Sequence, residues 1–468
     1  MVTVEPLKIV HVAATATGAP WMIALMAEQK RLGHDVAAII PAIDGGIGAQ
    51  LHALGIPCHV AGVDILFAVP GVMRKTTALL RLARLLRRLR PDVVHSHIVN
   101  SVVTARLASW IADVPVHLGA NAHPYSMESD ILGPIEAGTS FCDTVTIASC
   151  THTRELMLRH ALPEKQIELI YYAVDQSRHD PALADGSRVR QELGIAPGTP
   201  VIGKIAYFYP PANAPGLVPS PLLGRGIKGH EVLIRAIPSV LGSFPDARFI
   251  LVGRGWGQGG PAYEQELKEL VNRLGVSSFT LFPGERSDIP DVLAALDISV
   301  QCSLSDNLGG TVESLLMARP LVVSDIRGFA DTVRHEETGL VVPVDDPAAL
   351  AAALVRLLRD RDLGRRLGEN GRRLMLDRFT LARAVTDTEQ LLAAMRQPAD
   401  RHYRIAVSIW RAIALPVRLL PMCLGVYRGM RRHGFSIPRF VRRRVQHAIG
   451  RCIASLRRSW RVAASGPS

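Results

Sequence analysis

Short apolar runs alternate with amphipathic helical patterns along most of this 468-residue chain. The run from Lys8 to Ala13 predicts a first strand, and a helix is expected from about Trp21 to Leu32. Leucines recur on one stripe between Thr76 and Leu89, which predicts another helix before a strand that starts at Val93. Strands separated by helices in this way indicate an α/β fold with parallel sheets.

The alternation pauses in a polar stretch with proline and glycine at residues 181–199, which we interpret as an interdomain linker. A second α/β series then starts at Val201. The pattern therefore predicts an N-terminal domain over residues 1–180 and a C-terminal domain over 200–380, both doubly wound and Rossmann-like. Ligands of such domains bind at the carboxyl ends of the strands, here in the cleft. Residues 381–400 are expected to form a helix that returns to the first domain.

Charge is distributed unevenly along the chain, whose formal net charge is +12. Fifteen arginines and no Lys, Asp or Glu lie between Arg401 and Arg461, so the first 400 residues carry a net charge of −3. The basicity therefore belongs to the C-terminal segment. The six cysteines form no C-x-x-C pair, which argues against a disulfide framework or thiolate metal site and fits a reducing, cytoplasmic compartment.

The C-terminal segment, residues 401–468, is predicted to rest on an anionic membrane surface. Between Val441 and Trp460 the apolar residues fall on one arc of a helix and most arginines fall opposite, a pattern typical of interfacial helices. Arg and Pro within residues 405–427 argue against a spanning helix. RNA or the acidic groove of a partner protein is the alternative. The apolar arc favours the membrane, at the inner face of the cytoplasmic membrane, and no nucleic acid is expected.

The segment most informative about chemistry runs from Ser303 to Glu313 and leads into a predicted helix that starts near Thr311. Gly309 and Gly310 precede the helix and let its first N–H groups approach a ligand, where the helix dipole favours a diphosphate. Glu313 lies in the first turn, where a carboxylate can accept hydrogen bonds from two ribose hydroxyls. The alternative is an ordinary helix start with an acidic first turn.

This segment and the motifs after it resemble the donor-binding region of the large family of retaining glycosyltransferases numbered four, also called glycosyl transferases group 1. The further motifs are Arg319-Pro320-Leu321-Val322-Val323-Ser324-Asp325, Thr338-Gly339-Leu340-Val341-Val342-Pro343, Asp346-Pro347 and Arg378-Phe379-Thr380. The resemblance covers about residues 8–395. It implies the GT-B fold, in which two Rossmann-like domains face a cleft. It also implies a nucleoside diphosphate sugar as substrate, with neither metal nor other cofactor.

The resemblance assigns basic and polar residues to the donor. Lys228 matches the family lysine that neutralises the diphosphate, and Lys204 lies where the family usually has arginine. His123 matches a position that faces the transferred sugar, and Gly18 lies in the loop near the phosphates and the acceptor. Glu313 is the ribose-binding acid, and Thr311 belongs to the same donor-binding turn.

The chain departs from the family at one position that bears on catalysis. Ser305 stands where the family has the acid that contacts the donor sugar, and the adjacent Asp306 is a candidate to supply that carboxylate. We expect sugar transfer to an acceptor at the membrane, either a lipid-linked saccharide or a cell-surface polysaccharide. A sugar-nucleotide epimerase and a catalytically silent nucleotide-sugar-binding scaffold are the alternatives.

Other motifs carry less weight. The glycines of Gly253-Arg254-Gly255-Trp256-Gly257 have the wrong spacing for a dinucleotide fingerprint and predict a loop. Asp360 and Asp362 lie in a helical, arginine-rich stretch and are interpreted as solvated rather than as metal ligands. His95 and His97 are expected to follow a strand and to be structural. The insertion between Tyr207 and Gly226 predicts a lid or an acceptor contact.

Overall fold

The computed structural model describes residues 5–395, except 70, 122 and 173, and residues 422–434. Two parallel sheets organise this part of the chain. The first has seven strands in the order β3-β2-β1-β4-β5-β6-β7. Its strands are β1 Lys8–Ala13, β2 Asp35–Ile40, β3 Cys58–Val60, β4 Val93–His97, β5 Val116–Asn121, β6 Val145–Ala148 and β7 Ile167–Leu169.

The second sheet has six strands in the order β10-β9-β8-β11-β12-β13. Its strands are β8 Val201–Ile205, β9 Arg248–Val252, β10 Thr280–Gly284, β11 Ile298–Gln301, β12 Leu321–Ser324 and β13 Leu340–Val342. The strand order reverses between β1 and β4 in the first sheet and between β8 and β11 in the second. Such reversals leave a crevice at the carboxyl ends of the strands. The predicted α/β fold with two Rossmann-like domains is therefore confirmed.

Helices cover both faces of each sheet, which explains why the strands are continuous apolar runs. The first domain contains α1 Pro20–Arg31, α2 Gly46–Ala53, α3 Val72–Leu89, α4 Val99–Ala112, α5 Tyr125–Glu128, α6 Leu132–Thr139 and α7 Thr151–Arg159. The second contains α8 Gly186–Glu192, α9 His230–Leu241, α10 Gly260–Arg273, α11 Ile289–Ala295, α12 Thr311–Leu316, α13 Pro347–Arg359 and α14 Arg361–Arg378. The last helices are α15 Leu381–Ala394 and α16, residues 422–432.

The leucine stripe of α3 faces the first sheet. Leu82 and Leu86 are fully buried and pack with Val10 and Val94 on one face of this sheet. Helix α3 begins at Val72, four residues before the predicted start. The buried residues of α3 are Leu82, Ala83 and Leu86, and the other face of the helix points away from the sheet.

The predicted linker at residues 181–199 contains a helix that belongs to the second domain. Val189 of α8 is fully buried in the core of that domain. Arg190 donates to Asp297 Oδ2 at 2.9 Å and to the carbonyl of Ala295. Residues 186–192 of the predicted linker therefore belong to the second domain. The sequence analysis missed this short helix because the segment around it is rich in turn-forming residues.

Helix α15 packs against the first domain after the chain has completed the second. Its Thr380 cap accepts a hydrogen bond from the Arg383 amide, and Leu392 is buried against Ile9 and Leu118. Glu389 Oε2 lies 2.9 Å from Nε2 of the buried His34. Both termini of the described domains therefore meet at the first sheet.

Helix α16 also packs against the first domain. A β-carbon at Gly429 would lie 2.5 Å from the carbonyl oxygen of Asp130, and one at Gly425 would lie 2.7 Å from Pro134. His433 Nε2 is 2.8 Å from Asp130 Oδ2. This part of the C-terminal segment therefore contacts the protein itself. The predicted amphipathic helix between Val441 and Trp460 lies outside the described residues.

Among the residues with described structure, no helix combines the length and the apolar character needed to cross a bilayer.

The insertion between Tyr207 and Gly226 is packed rather than open. Phe208 is fully buried and its strand-like bridge to Gly255 fixes the start of the insertion. The carbonyl of Gly216 accepts hydrogen bonds from Ser129 Oγ at 2.7 Å and from the Ile131 amide at 3.0 Å. The insertion therefore links the second domain to the first on one side of the cleft.

Candidate active site

Residues of both domains meet around the carboxylate of Asp306. Lys228, which precedes α9, donates from Nζ to Asp306 Oδ2 at 2.6 Å. His123, in the loop after β5, places Nε2 at 3.6 Å from Asp306 Oδ1. Three residues that the sequence analysis assigned to the donor are thus brought together across the cleft.

The charge state of Asp306 follows from these neighbours. Burial opposes its ionisation, but the ammonium of Lys228, the imidazole of His123 and hydrogen bonds from Lys228 and Ser303 lower the pKa of Asp306 below its usual value. Ser303 donates to Oδ2 at 3.1 Å, and the Asn307 amide donates to Oδ1 at 3.0 Å. Asp306 is therefore an oriented carboxylate at neutral pH.

His123 is held as a neutral imidazole. Burial lowers its pKa to about 4, and the nearby Lys228 also disfavours its charged form. The Tyr125 amide donates to Nδ1 at 3.2 Å, which leaves the proton of the neutral ring on Nε2. His123 therefore presents an N–H donor on the side of Asp306.

Lys204 lies in β8 and is fully buried. Burial lowers its pKa, and its Nζ donates to Gln301 Oε1 at 3.4 Å. The Nε2 of Gln301 has no hydrogen-bond partner in the described part of the chain. A β-carbon at Gly310 would lie 2.5 Å from that nitrogen. Gln301 thus lies between Lys204 and the turn formed by Gly309 and Gly310, which is called the glycine turn below. A polar side chain at the end of an apolar strand is a sequence signal that the sequence analysis missed.

Gly309 and Gly310 are each required to be glycine for a different structural reason. Gly309 has a φ of +51°, in the left-handed region, and a β-carbon there would lie 2.9 Å from Asp306 Oδ2. Gly310 leaves room for Gln301, as above. Gly309 thus lets the backbone approach the Asp306 carboxylate closely, and Gly310 lets it approach the amide of Gln301.

Thr311 contributes differently from what the sequence analysis expected. Its side chain is fully buried, and its hydroxyl donates to the carbonyl of Leu308 at 2.5 Å and lies 2.9 Å from Thr332 Oγ1. It therefore shapes the turn, because its hydroxyl is used inside the domain. Helix α12 has only six residues, so its dipole is small and the two lysines supply the main positive charge.

Glu313, in the first turn of α12, is a half-buried acid with one buried, unpaired oxygen. Its Oε2 has no hydrogen-bond partner among the described residues. Burial, together with the charge of Asp306, raises its pKa to about 7. Buried polar atoms are nearly always hydrogen-bonded, and a strongly shifted acid in a cleft marks a functional site.

Ser305 is joined to an acid that the sequence analysis did not identify. Its Oγ donates to Glu128 Oε2 at 3.3 Å, and His152 Nε2 lies 3.0 Å from Glu128 Oε1. Burial opposes ionisation of Glu128, but His152, His123 and Ser305 lower its pKa. Glu128 ends the four-residue helix α5, and nothing in the local sequence pattern distinguishes it from a solvated helical acid.

Other contacts from the first domain hold the glycine turn in place. Tyr172 donates from its hydroxyl to the carbonyl of Gly309 at 3.3 Å, and Asn307 Nδ2 donates to Ser149 Oγ at 3.3 Å. Gly18, with a φ of +75°, faces the hydroxyl of Tyr207, which lies 4.0 Å from where a β-carbon would be. The Gly18 loop therefore lies opposite the insertion, rather than among the residues that contact Asp306.

Three buried histidines form a separate cluster in the first sheet. His95 and His97 lie within β4 rather than after it, and His11 of β1 is 2.8 Å from His97 Nε2 through its Nδ1. His11 Nε2 is 2.8 Å from Gln29 Oε1, and burial lowers the pKa of His11 to about 4. Their ligand atoms lie within 4.8 Å of one another. Independence from metal thus stays a prediction from the family resemblance.

The minor motifs of the sequence have structural roles. Asp360 caps α14 by accepting a hydrogen bond from the Leu363 amide at 2.8 Å. Gly255 packs directly against the backbone of Gly260, so glycine is needed there for the close approach of two backbone segments. Arg254, in the same loop, forms an ion pair with Glu285 at 2.6 Å.

Two Rossmann-like domains that face a cleft, with Lys204, Lys228 and Asp306 at it, define the GT-B fold. Two family descriptions match the two domains: "Glycosyl transferase 4-like domain" over residues 17–173 and "Glycosyl transferases group 1" over residues 221–360. The chain thus contains both domains of a glycosyltransferase, as the sequence analysis predicted.

Curated relatives carry glycosyltransferase names. The chain is 25% identical to the UDP-Gal:alpha-D-GlcNAc-diphosphoundecaprenol alpha-1,3-galactosyltransferase of Escherichia coli, over 70% of this chain and 84% of that protein. It is 23% identical to the N-acetyl-alpha-D-glucosaminyl L-malate synthase of Bacillus anthracis, over 66% and 77%. It is 29% identical to the lipopolysaccharide core mannosyltransferase LpsB of Rhizobium meliloti, over 41% of this chain and only 51% of that protein.

Solved structures share the fold. HepE of Anabaena, crystallised with UDP, superposes with a TM-score of 0.68 at 20% identity and covers 83% of this chain and all of that one. WaaG, a glycosyltransferase of lipopolysaccharide biosynthesis, has a TM-score of 0.60 at 14% identity, over 82% and 99%.

Proposed function

We propose that this protein transfers a sugar from a nucleoside diphosphate sugar to a membrane-associated acceptor, with retention of anomeric configuration and without a metal ion. The observation that carries the proposal is the cluster of Lys228, Asp306, Glu313 and the buried Lys204 at the cleft between the domains. The crystal structure of HepE with UDP supports a uridine or similar nucleotide as donor.

The two lysines are proposed to stabilise the departing diphosphate. Lys228 already binds an anionic group, the carboxylate of Asp306, and Lys204 has only the amide oxygen of Gln301 as a partner in the described chain. A nucleoside diphosphate gains negative charge as the glycosidic bond breaks, and fixed cations lower that barrier. The lysines thereby take the role that a metal ion has in other transferases.

The remaining residues of the site are proposed to bind the nucleoside and the sugar. The unpaired oxygen of Glu313 is suited to accept hydrogen bonds from ribose hydroxyls. Nε2 of His123 lies 3.6 Å from Asp306 Oδ1, and Glu128 accepts a hydrogen bond from Ser305, so polar groups of both domains are in contact here. They can thus hold the hydroxyls of the transferred sugar.

A membrane-associated acceptor is supported by the C-terminal segment and by one relative. Fifteen arginines follow residue 400, and the E. coli relative is named for a diphosphoundecaprenol-linked acceptor. We propose a lipid-linked saccharide or a growing surface polysaccharide as acceptor, at the inner face of the cytoplasmic membrane. Retention rests on the family resemblance.

Incubation of the protein with a panel of radiolabelled nucleotide sugars and membrane extract tests the proposal. We expect one donor to label an extractable lipid or polysaccharide and to release the nucleoside diphosphate. Lys228→Ala should lower kcat/KM at least ~100-fold, as losing a group that stabilises transition-state charge does. Lys268→Ala, which removes a half-buried lysine paired with Glu264 in the same domain, should leave kcat/KM unchanged.

Two outcomes would replace the proposal. Conversion of the donor sugar without any acceptor would identify an epimerase, and nucleotide binding without release of the diphosphate would identify a silent scaffold. The anomeric configuration of the first product formed, measured by proton NMR coupling, tests retention separately.

A further inference from the structure

The three buried histidines of the first domain share one face of its sheet. Strands β1 and β4 pair in parallel with His11 opposite His95, and His97 lies two residues further along β4, on the same face. All three side chains are at most 3% exposed, and they lie against Trp21 and Gln29 of α1. Because side chains alternate between the two faces of a sheet, the register of these strands directs three imidazoles into one space.

The ring nitrogens of this cluster converge and are incompletely hydrogen-bonded. One nitrogen from each ring can be selected so that all three lie within 4.8 Å of one another. Nδ1 of His95 and Nδ1 of His97 are buried and have no hydrogen-bond partner in the part of the chain that the structure describes. Buried polar nitrogens are nearly always satisfied, so two unpaired imidazole nitrogens beside a third ring indicate that a ligand binds among them.

Gln29 determines which nitrogen of His11 is available to such a ligand. The amide oxygen of Gln29 is an acceptor, so it takes the proton on His11 Nε2, which lies 2.8 Å away. The neutral ring then has its lone pair on Nδ1, which is 2.8 Å from His97 Nε2. Histidines that bind metal ions commonly donate their second N–H to an oxygen in this way, which fixes both the tautomer and the orientation of the ring.

A small cavity adjoins the cluster. It has a volume of about 50 Å³ and is lined by His95, His97 and Tyr172, among others. A water molecule needs roughly 10–15 Å³ of such space, so a water ligand fits beside the imidazoles. Tyr172 also donates to the carbonyl of Gly309 at 3.3 Å, so the cavity adjoins the glycine turn.

We propose that His11, His95 and His97 bind one Zn²⁺ ion, with water as the fourth ligand. Three imidazoles and a water are a common coordination set for zinc, whereas Mg²⁺ and Ca²⁺ prefer oxygen ligands. Two nitrogens at about 2.0–2.1 Å from one zinc ion are about 3.3 Å apart at the tetrahedral angle. His11 Nδ1 and His97 Nε2 therefore separate by about 0.5 Å on binding. The ion joins β1 to β4 and takes no part in the proposed sugar transfer.

Zinc content of the full-length protein tests the site. The protein is stripped with EDTA, desalted, incubated with excess zinc sulfate, desalted again and analysed by inductively coupled plasma mass spectrometry. We expect about one zinc ion per chain, and Co²⁺ in its place should give the intense visible absorption of a tetrahedral complex. Wild-type protein that retains no zinc, or that gives only the weak absorption of six-coordinate Co²⁺, would overturn the proposal.

Variants assign the zinc to these residues. His97→Gln removes a ligand, so zinc affinity measured by competition with a chromophoric chelator should fall at least ~100-fold. Gln29→Leu keeps the three ligands and removes only the acceptor for His11 Nε2, and a loss of ~10-fold or more is expected. Unchanged affinity in both variants would show that the zinc is held elsewhere and reject the site.

A matched control accounts for zinc on surface histidines. His52 and His335 are exposed, so His52→Ala with His335→Ala should leave the zinc content and affinity unchanged. Loss of the zinc in this control, with retention in His97→Gln, would identify adventitious surface binding and overturn the proposal.

Thermal unfolding separates loss of the ion from loss of the fold. Zn²⁺ should raise the Tm of the wild type but not that of His97→Gln, because an ion that binds only the native state stabilises it. Equal shifts in both proteins would contradict the site. Should His97→Gln fail to fold, the wild-type stoichiometry and the affinity of Gln29→Leu still decide.

Discussion

At the residue scale, the site is built from charged side chains that are buried yet only partly paired. Lys204 and Asp306 are buried, and the half-buried Glu313 has a buried oxygen without a partner in the described chain. Desolvation of a charged group costs free energy unless a partner offsets it. Lys204 and Glu313, whose pKa values are shifted towards the neutral form, therefore lower the stability of the second domain, whereas Lys228 offsets the burial of Asp306.

The buried acid predicts a pH-dependent stability effect. The pKa of Glu313 is raised from its ordinary 4.5 to about 7, so the folded protein binds this proton more tightly than the unfolded chain does. The destabilisation is absent below the unfolded pKa, grows as pH rises towards 7 and is complete above it. Glu313→Gln should therefore raise the free energy of unfolding by about 3 kcal/mol at pH 8 and by less than ~1 kcal/mol at pH 5.

Urea denaturation at the two pH values measures this effect. Nucleotide binding should weaken in the same variant, because glutamine accepts a ribose hydrogen bond less strongly than a carboxylate does. An equal gain in stability at both pH values would show that the carboxyl does not titrate between them.

Adjacent residues in the glycine turn should differ in importance. Asp306→Ala removes the partner of Lys228 and the carboxylate near His123, and we expect kcat/KM to fall at least ~100-fold. Ser305→Ala removes only a hydroxyl that donates to Glu128 at 3.3 Å, and a loss below ~10-fold is expected. Steady-state kinetics of both variants identifies which residue supplies the acid. The reverse order would show that Asp306 serves structure and that Ser305 binds the sugar.

At the scale of elements, α16 shows how a basic C-terminal segment is attached to the protein. Its glycines let the helix lie directly against Asp130 and Pro134, and Arg432 and His433 bind the Asp130 carboxylate. Ser129, the residue before Asp130, donates a hydrogen bond to the carbonyl of Gly216 and so holds the insertion. The attachment of α16 and the packing of the insertion are therefore coupled through one short segment after α5.

A larger side chain on the glycine face should release α16. Gly429→Leu would place its side chain against the Asp130 backbone, so we expect trypsin to cleave at Arg431 and Arg432 at least ~5-fold faster, as a local opening allows. Cys423→Leu is the control, because this position of the same helix is exposed. Cleavage rates from a gel time course decide the matter, and equal rates in both variants would contradict the packing of α16.

At the scale of the whole molecule, α15 connects the end of the second domain to the first sheet. Glu389 bonds the buried His34, whose Nδ1 in turn accepts from the Leu7 amide before β1. Helix α15 therefore supports the first strand of the chain. Movement of the two domains is constrained by this return as well as by the insertion.

Breaking this connection should destabilise the first domain. Glu389→Ala leaves the buried Nε2 of His34 without its partner, and the free energy of unfolding should fall by about 2 kcal/mol. Arg383→Ala is a suitable comparison, since its pair with Asp387 is exposed and should contribute less than ~0.5 kcal/mol. Urea denaturation monitored by circular dichroism measures both. Similar values for the two variants would mean that the His34 contact does not hold α15.

The fold and the chemical identity of the donor residues could be predicted from the amino-acid sequence. Apolar runs and helical stripes depend on residues that are close along the chain, so Lys8–Ala13, the α3 stripe and the two glycines before Glu313 were all recognisable locally. The lysines and His123 followed from the family resemblance. Their roles in catalysis stay predictions.

Only the tertiary structure decided which distant residues complete the site. Glu128 and Tyr172 lie far along the chain from Asp306 and in unremarkable local patterns, and they reach the cleft because two sheets place their carboxyl ends face to face. The same holds for His11, which meets His95 and His97 only because β1 and β4 pair in register. Strand pairing and burial are properties of the folded chain, so only folding shows that these three histidines share one face of the first sheet.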